Sequence, residues 1–396
     1  MGHEKLKYVA IGVVILIMLV FLALAVPLLF YRPPRMIALM RIDDKKMKLL
    51  SAIVLFRHGA RAPLEMQNKT IAALFPNGPG EITQAGIEET FNLGRFLGKR
   101  YVKTKFLRTP PLPSEVYFRS RSNNRCLFCG AVVGSGMWAS DQDSEFTAVP
   151  VYSQGKKDKL LTHLQNCEVE IRRINNRCGR KPPSYANWGA YEGFIYECIG
   201  LHYQNNLFPD AEAFSKVETL VQMDRNGLKM PDWFEQNREQ IYSLYEKTYS
   251  FIVGVNEYHD EQLLKMKQGF LMSTIMKTLW KQWQEYEKSG QIKKRKFTAF
   301  STQDWLLLAF LHSLGCGDEA LGSTIPTYNS VVIIELYVRK RKPFVKVLYK
   351  HGGMTLPRDV THAVRGCTFS PCHLVEFSLC CKKYMTDDPK SACDLS

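Results

Sequence analysis

Tyr8 to Tyr31 carries no charged residue and is almost wholly apolar. At about 1.5 Å of rise per residue such a run is long enough to cross a bilayer core as a helix. Beyond it the pattern breaks into shorter segments. Ser51 to Phe56 is a continuous apolar stretch, the mark of a strand buried on both faces. Thr83 reads as a helix cap, and Ile87, Phe91, Phe96 and Leu97 recur near helical spacing up to Tyr101. Glu115 to Phe118 predicts another strand. The span from about 150 to 290 is mostly helical in pattern and rich in Tyr, Trp, Lys and Glu. Phe297 to Phe300 returns to strand, and Trp305 to Leu314 is an apolar helix. Val331 to Val338 and Phe344 to Tyr349 pair as an antiparallel hairpin across a basic turn. Strands alternating with helices predict an α/β sheet, with the helical middle as an insertion or cap on it.

Composition narrows the class. Of 396 residues, 45% are hydrophobic and 23% charged, ordinary values for a folded protein with a sizeable core. The net charge of +15 favours anionic partners. The basic runs Lys293 to Lys296 and Arg339 to Lys342 flank strand-like segments and read as exposed turns. No pattern typical of a nucleic-acid reader accompanies them, so no nucleic-acid partner is expected.

The cysteines place the chain. Eleven are many for a cytosolic protein, and the odd count leaves at least one unpaired. Cys126-x-x-Cys129 has no second pair at metal-ligand spacing, so disulfides rather than a metal are expected. With Asn68-Lys69-Thr70 as a glycosylation sequon at Asn68, this puts the body on a lumenal or extracellular side. The resulting organisation is a cytoplasmic N-terminus at 1–7, an uncleaved signal anchor at 8–31 (preferred over a cleaved signal peptide), a juxtamembrane linker at 32–48 and a body at 49–396.

Candidate chemistry sits just after the first strand, in Arg57-His58-Gly59-Ala60-Arg61-Ala62-Pro63. In open α/β sheets ligands bind beyond the carboxyl ends of the strands. A neutral imidazole can attack phosphorus and carry the phosphoryl group, while arginines clamp its equatorial oxygens. On the bare residues the alternative is a histidine that only ends a strand, beside solvated arginines.

The segment Leu55-Phe56-Arg57-His58-Gly59-x-Arg61-x-Pro63 resembles the signature of the histidine acid phosphatases. The likeness continues through 74–94, Val116-Tyr117-Phe118-Arg119-Ser120, Phe300-Ser301-Thr302-Gln303-Asp304, Ile325-Pro326-x-Tyr328 and Cys367 to Phe377. It implies a phosphoglycerate-mutase-like α/β fold: a central mixed, mostly parallel sheet flanked by helices. It implies His58 as nucleophile, Arg57, Arg61 and Arg119 as phosphate ligands, and Asp304 as general acid and then base, with no metal or other cofactor. It further implies Cys367–Cys372 and Cys167–Cys393 bridges, a homodimer as one assembly, and a lysosomal, secretory or cell-surface setting. The substrates implied are phosphorylated small molecules, with a lysophospholipid suggested by the anchor and the basic body.

One position departs from the family. Gln303 stands where a second active-site histidine is normal, and a glutamine amide donates a hydrogen bond without charge. A charged hydrogen bond is worth roughly 1.5–3 kcal/mol against about 0.5–1.5 for a neutral one. The exchange therefore predicts a phosphatase slowed roughly 5- to 30-fold, or specialised, with Gln303 still among the phosphate-binding residues. The alternative is an inactive phosphatase-like membrane protein with a binding or structural role.

Overall fold

The structure is a computed structural model that describes residues 47–139, 147–155, 158–162, 167–182, 187–210 and 212–394. The 8–31 segment and nearly all of the linker lie outside the described residues. Among the described residues no helix is long and apolar enough to cross a membrane.

The principal elements are β1 (Lys48–Arg57), α1 (Lys69–Leu74), α2 (Gln84–Tyr101), β2 (Val116–Ser120), α3 (Asn124–Trp138) and β3 (Val151–Tyr152). The helical middle follows as α4 (Glu168–Cys178), α5 (Trp188–Cys198), α6 (Ala213–Arg225), α7 (Asp232–Val253) and α8 (Glu261–Ser289). Then come β4 (Phe297–Thr302), α9 (Asp304–Leu314), β5 (Val331–Arg339), β6 (Lys342–Lys350), β7 (Arg358–Asp359) and β8 (Cys372–His373). Thr83 caps α2 as expected, its side chain accepting from the Gly86 amide.

The sheet runs in the order β3-β2-β4-β1-β5-β6-β7, with β8 also paired to β6. Pairings β1–β4, β2–β4 and β2–β3 are parallel. Pairings β1–β5, β5–β6, β6–β7 and β6–β8 are antiparallel. The sheet is thus mixed, and the expectation that it is mostly parallel is corrected. The reason is local: Lys340 and Arg341 close β5 onto β6 with φ of 47° and 60°, a two-residue turn that can only return the chain antiparallel.

Strand β1 is buried on both faces. Ala52, Val54 and Phe56 join Leu93 and Leu97 of α2 and Val133 and Met137 of α3 in one core. Ile53 and Leu55 face the other core, built from the helices of the middle segment and α9. Leu50 shares that second face because the register shifts between Leu49 and Ser51. Each fully buried Ile, Leu or Phe of this kind contributes about 1.5–3 kcal/mol. Disulfides join Cys167 to Cys393, Cys178 to Cys198, Cys367 to Cys372 and Cys380 to Cys381, whereas Cys126, Cys129 and Cys316 are free and buried.

Because β1, β2 and β4 are parallel neighbours, their carboxyl ends share one edge. Arg57 is in register with Thr302, and Ser120 with Ser301. The residues that follow each strand are thereby gathered at one place.

Candidate active site

The loop after β1 is fixed from several sides. The His58 amide donates to the Thr302 carbonyl at 3.2 Å, the Asn329 amide to the His58 carbonyl at 3.3 Å, and the Thr83 amide to the Ala60 carbonyl at 2.9 Å. The Gly59 amide donates to Sγ of Cys129, 3.2 Å away. Gly59 is required by close approach: a Cβ there would lie 2.4 Å from both the Gly86 carbonyl oxygen and Oγ1 of Thr90. The sharp turn out of β1 is therefore held against the start of α2.

His58 is buried, and its tautomer follows from its neighbours. Nδ1 lies 2.9 Å from the Gly59 carbonyl oxygen, which can only accept, so Nδ1 carries the proton. Nε2 receives the Nε–H of Arg125 at 3.3 Å, and that group can only donate. Nε2 thus holds the lone pair. Burial, followed by the charges of Arg125, Arg57 and Arg61, lowers the imidazole pKa well below its usual 6.5. The ring is a neutral nucleophile surrounded by cations.

Arg57 is fully buried. One Nη donates to the Pro326 carbonyl at 2.8 Å, the other meets Oδ2 of Asp304 at 2.6 Å, and the guanidinium lies 4.3 Å from the Tyr328 ring centre. Arg61 is held by Glu218 of α6 at 2.9 Å and by the Ala62 carbonyl at 2.8 Å. Asp304 opens α9, and its Oδ1 accepts from the Trp305 amide at 2.8 Å. Oε1 of Gln303 accepts from the Arg121 guanidinium and, at 2.8 Å, from Nε1 of Trp305.

Arg119, expected as the third phosphate ligand, is not brought together with this group. It lies within β2, opposite Phe300 and Tyr152, rather than beyond the strand end. Its guanidinium is committed to Asp158 at 2.9 Å, in a pair almost wholly shielded from solvent. Asp158 in turn accepts from the amides of Leu160 and Leu161, so Arg119 anchors that loop.

Arg125, Arg121, Tyr328 and Glu218 were not singled out for the site by sequence reasoning. One signal was available for two of them. Arg121 and Arg125 follow the carboxyl end of β2, where ligands bind, whereas Arg119 precedes it. Asn68 is exposed, and its side chain caps α1 by accepting from the Ile71 amide at 2.9 Å.

Comparison with known proteins identifies the family. The family model of the histidine phosphatase superfamily (branch 2) matches residues 48–187. A Caenorhabditis briggsae protein, provisionally named acid phosphatase 1, is 30% identical over 362 residues, covering 87% of this chain and 82% of its own. Human prostatic acid phosphatase is 23% identical over 350 residues, 84% of each chain. The phytase of Citrobacter braakii shares the fold, with a TM-score of 0.58 and 16% identity over 88% of this chain and 100% of its own. The chain is a member of the histidine acid phosphatase family, within branch 2 of the histidine phosphatase superfamily.

Proposed function

We propose that the protein hydrolyses phosphate monoesters through a phosphohistidine formed on Nε2 of His58. The observation that carries this reading is the unprotonated Nε2 of a neutral imidazole, which accepts a hydrogen bond from Arg125 and lies among Arg57, Arg61 and Arg125. In the first step Nε2 bonds to phosphorus and the ester P–O bond breaks. The arginines balance the charge on the phosphoryl oxygens. Asp304, in its protonated form, gives the leaving alkoxide its proton. In the second step the Asp304 carboxylate takes a proton from water, the oxygen bonds to phosphorus, the N–P bond breaks and inorganic phosphate departs.

The third phosphate-binding arginine in this reading is Arg125. Arg119 serves the fold. The substrate is a phosphorylated small molecule or a lysophospholipid, and the body faces a lumenal or extracellular space, which its disulfides favour. The 8–31 segment anchors it, and Asn68, exposed on its loop, carries the glycan.

The test is release of p-nitrophenol from p-nitrophenyl phosphate between pH 4 and 7 by the full chain in detergent. Wild type is expected to exceed His58→Ala by orders of magnitude, and an alkaline quench is expected to trap labelled phosphohistidine. Equal background rates for the two proteins would sink the enzyme reading. Lysophosphatidate in vesicles, assayed beside the soluble ester, separates the substrate classes, and resistance to carbonate extraction checks the anchor.

A further inference from the structure

Gln303 stands where the family carries a second histidine, and the partners of its amide are informative. Oε1 accepts from the Arg121 guanidinium and from Nε1 of Trp305. Both partners can only donate, so the oxygen faces them and the NH2 group faces the other way. Arg121 is brought there by the sheet. It is the first residue beyond β2, its amide donating to the Ser301 carbonyl at 3.1 Å, and Gln303 is the first residue beyond the adjacent β4. The guanidinium also lies 5.9 Å from the Trp305 ring centre, which limits its position.

No carboxylate among the described residues forms an ion pair with Arg121, and Asp304 and Asp158 act on it only at longer range. Asp158 is engaged by Arg119, and Asp304 by Arg57. Arg125 brings a second positive charge close by, and burial lowers the pKa of Arg121. A half-buried guanidinium that donates to a neutral amide, at the edge of a cationic pocket, is arranged for an incoming anion.

We propose that Arg121 supplies the positive charge that the missing imidazolium would bring to the phosphoryl group, with Gln303 as its positioning residue. The inference rests on the phosphatase reading and extends it. The charge has moved from β4 to β2 across one strand pairing. A guanidinium keeps its charge at every physiological pH, whereas an imidazolium loses it near pH 6.5. Anion binding by this enzyme therefore persists toward neutral pH instead of fading as a histidine titrates.

Sulfate is the probe, because its charge is constant from pH 4.5 to 8. Its inhibition of p-nitrophenyl phosphate hydrolysis is measured on the full chain. Arg121→Gln is expected to weaken sulfate binding and kcat/KM about tenfold or more, and Arg121→Lys to keep most of both. Gln303→His alone lowers both, because it sets a cation against Arg121 and removes the oxygen that holds it. The exchange Arg121→Gln with Gln303→His recovers activity near pH 5 and loses sulfate affinity toward pH 8 through a titration that wild type lacks. The proposal is overturned if Arg121→Gln leaves sulfate affinity and turnover unchanged, or if Gln303→His alone raises both. Wild type that turns over the ester while the Arg121 variants behave like it refutes this inference only. Wild type with no turnover and no sulfate binding refutes the phosphatase reading, and this inference with it.

Discussion

Nε of Arg125 lies 3.3 Å from Nε2 of His58, so an arginine in the first turn of α3 touches the atom assigned as nucleophile. Burial first, and this contact after it, keep the imidazole neutral, and in the proposed mechanism Arg125 is the cation that meets the phosphoryl group. In the proposed mechanism Arg125 takes the part that the family resemblance implies for Arg119, which is paired with Asp158.

Arg125→Ala is therefore expected to lower kcat/KM by roughly 10- to 150-fold, the loss of a charged hydrogen bond of about 1.5–3 kcal/mol. Arg119→Ala should act on stability instead. It leaves Asp158 buried without its partner, a change that costs about 3–5 kcal/mol. Steady-state kinetics and thermal melts on both variants check the division. A stable Arg119→Ala protein with no turnover would reverse it.

Two buried groups give opposite pH signatures. His58 has a folded pKa below its ordinary 6.5, so it stays neutral as the pH falls past that value, and the acid limb of kcat/KM lies below pH 6.5. Its share of stability is present above 6.5 and is lost as the pH falls through the folded value. An NMR titration of the imidazole that places it above 6.5 would contradict the geometry.

Glu192 behaves in the reverse sense. Burial pushes its carboxyl up from 4.5 to about 8. Its contribution to stability is complete below pH 4.5 and is lost as the pH rises through about 8. The melting temperature of wild type should fall between pH 5 and 8, and Glu192→Gln should flatten that fall. Parallel melting curves for the two proteins would show that Glu192 does not carry the effect.

Asp304→Asn is expected to lower turnover by roughly 10²- to 10⁴-fold for alkyl phosphates and less for p-nitrophenyl phosphate, whose leaving group needs no proton. The water step loses its base as well, so labelled phosphohistidine should accumulate. A loss independent of leaving-group pKa would assign Asp304 a different part.

Gly59→Ala tests the loop. Its new methyl group would press on the Gly86 carbonyl and the Thr90 hydroxyl, 2.4 Å away in each case. A destabilisation of about 1–3 kcal/mol is expected, with loss of activity as His58 shifts. An unchanged rate and melting point would mean that the loop tolerates more movement than its contacts imply.

Much of this protein was legible in its sequence, because short-range physics sets those features. The apolar run of β1, the Thr83 cap, the hairpin ends and the Arg57-to-Arg61 segment all depend on residues close along the chain. The nucleophile candidate came from the sequence as well, through the resemblance of the Arg57-to-Pro63 segment to the family signature, since the bare residues leave open a histidine that only ends a strand. Tertiary structure decided which distant side chains complete the pocket. Arg119, Arg121 and Arg125 lie within seven positions of one another and look alike as letters. Only the end of β2 separates the arginine that is locked to Asp158 from the two that reach the site. The meaning of Gln303 likewise rests on a contact between neighbouring strands, which no local pattern records. Strand pairing turns positions far apart in sequence into partners, and charge in this pocket is balanced across that pairing.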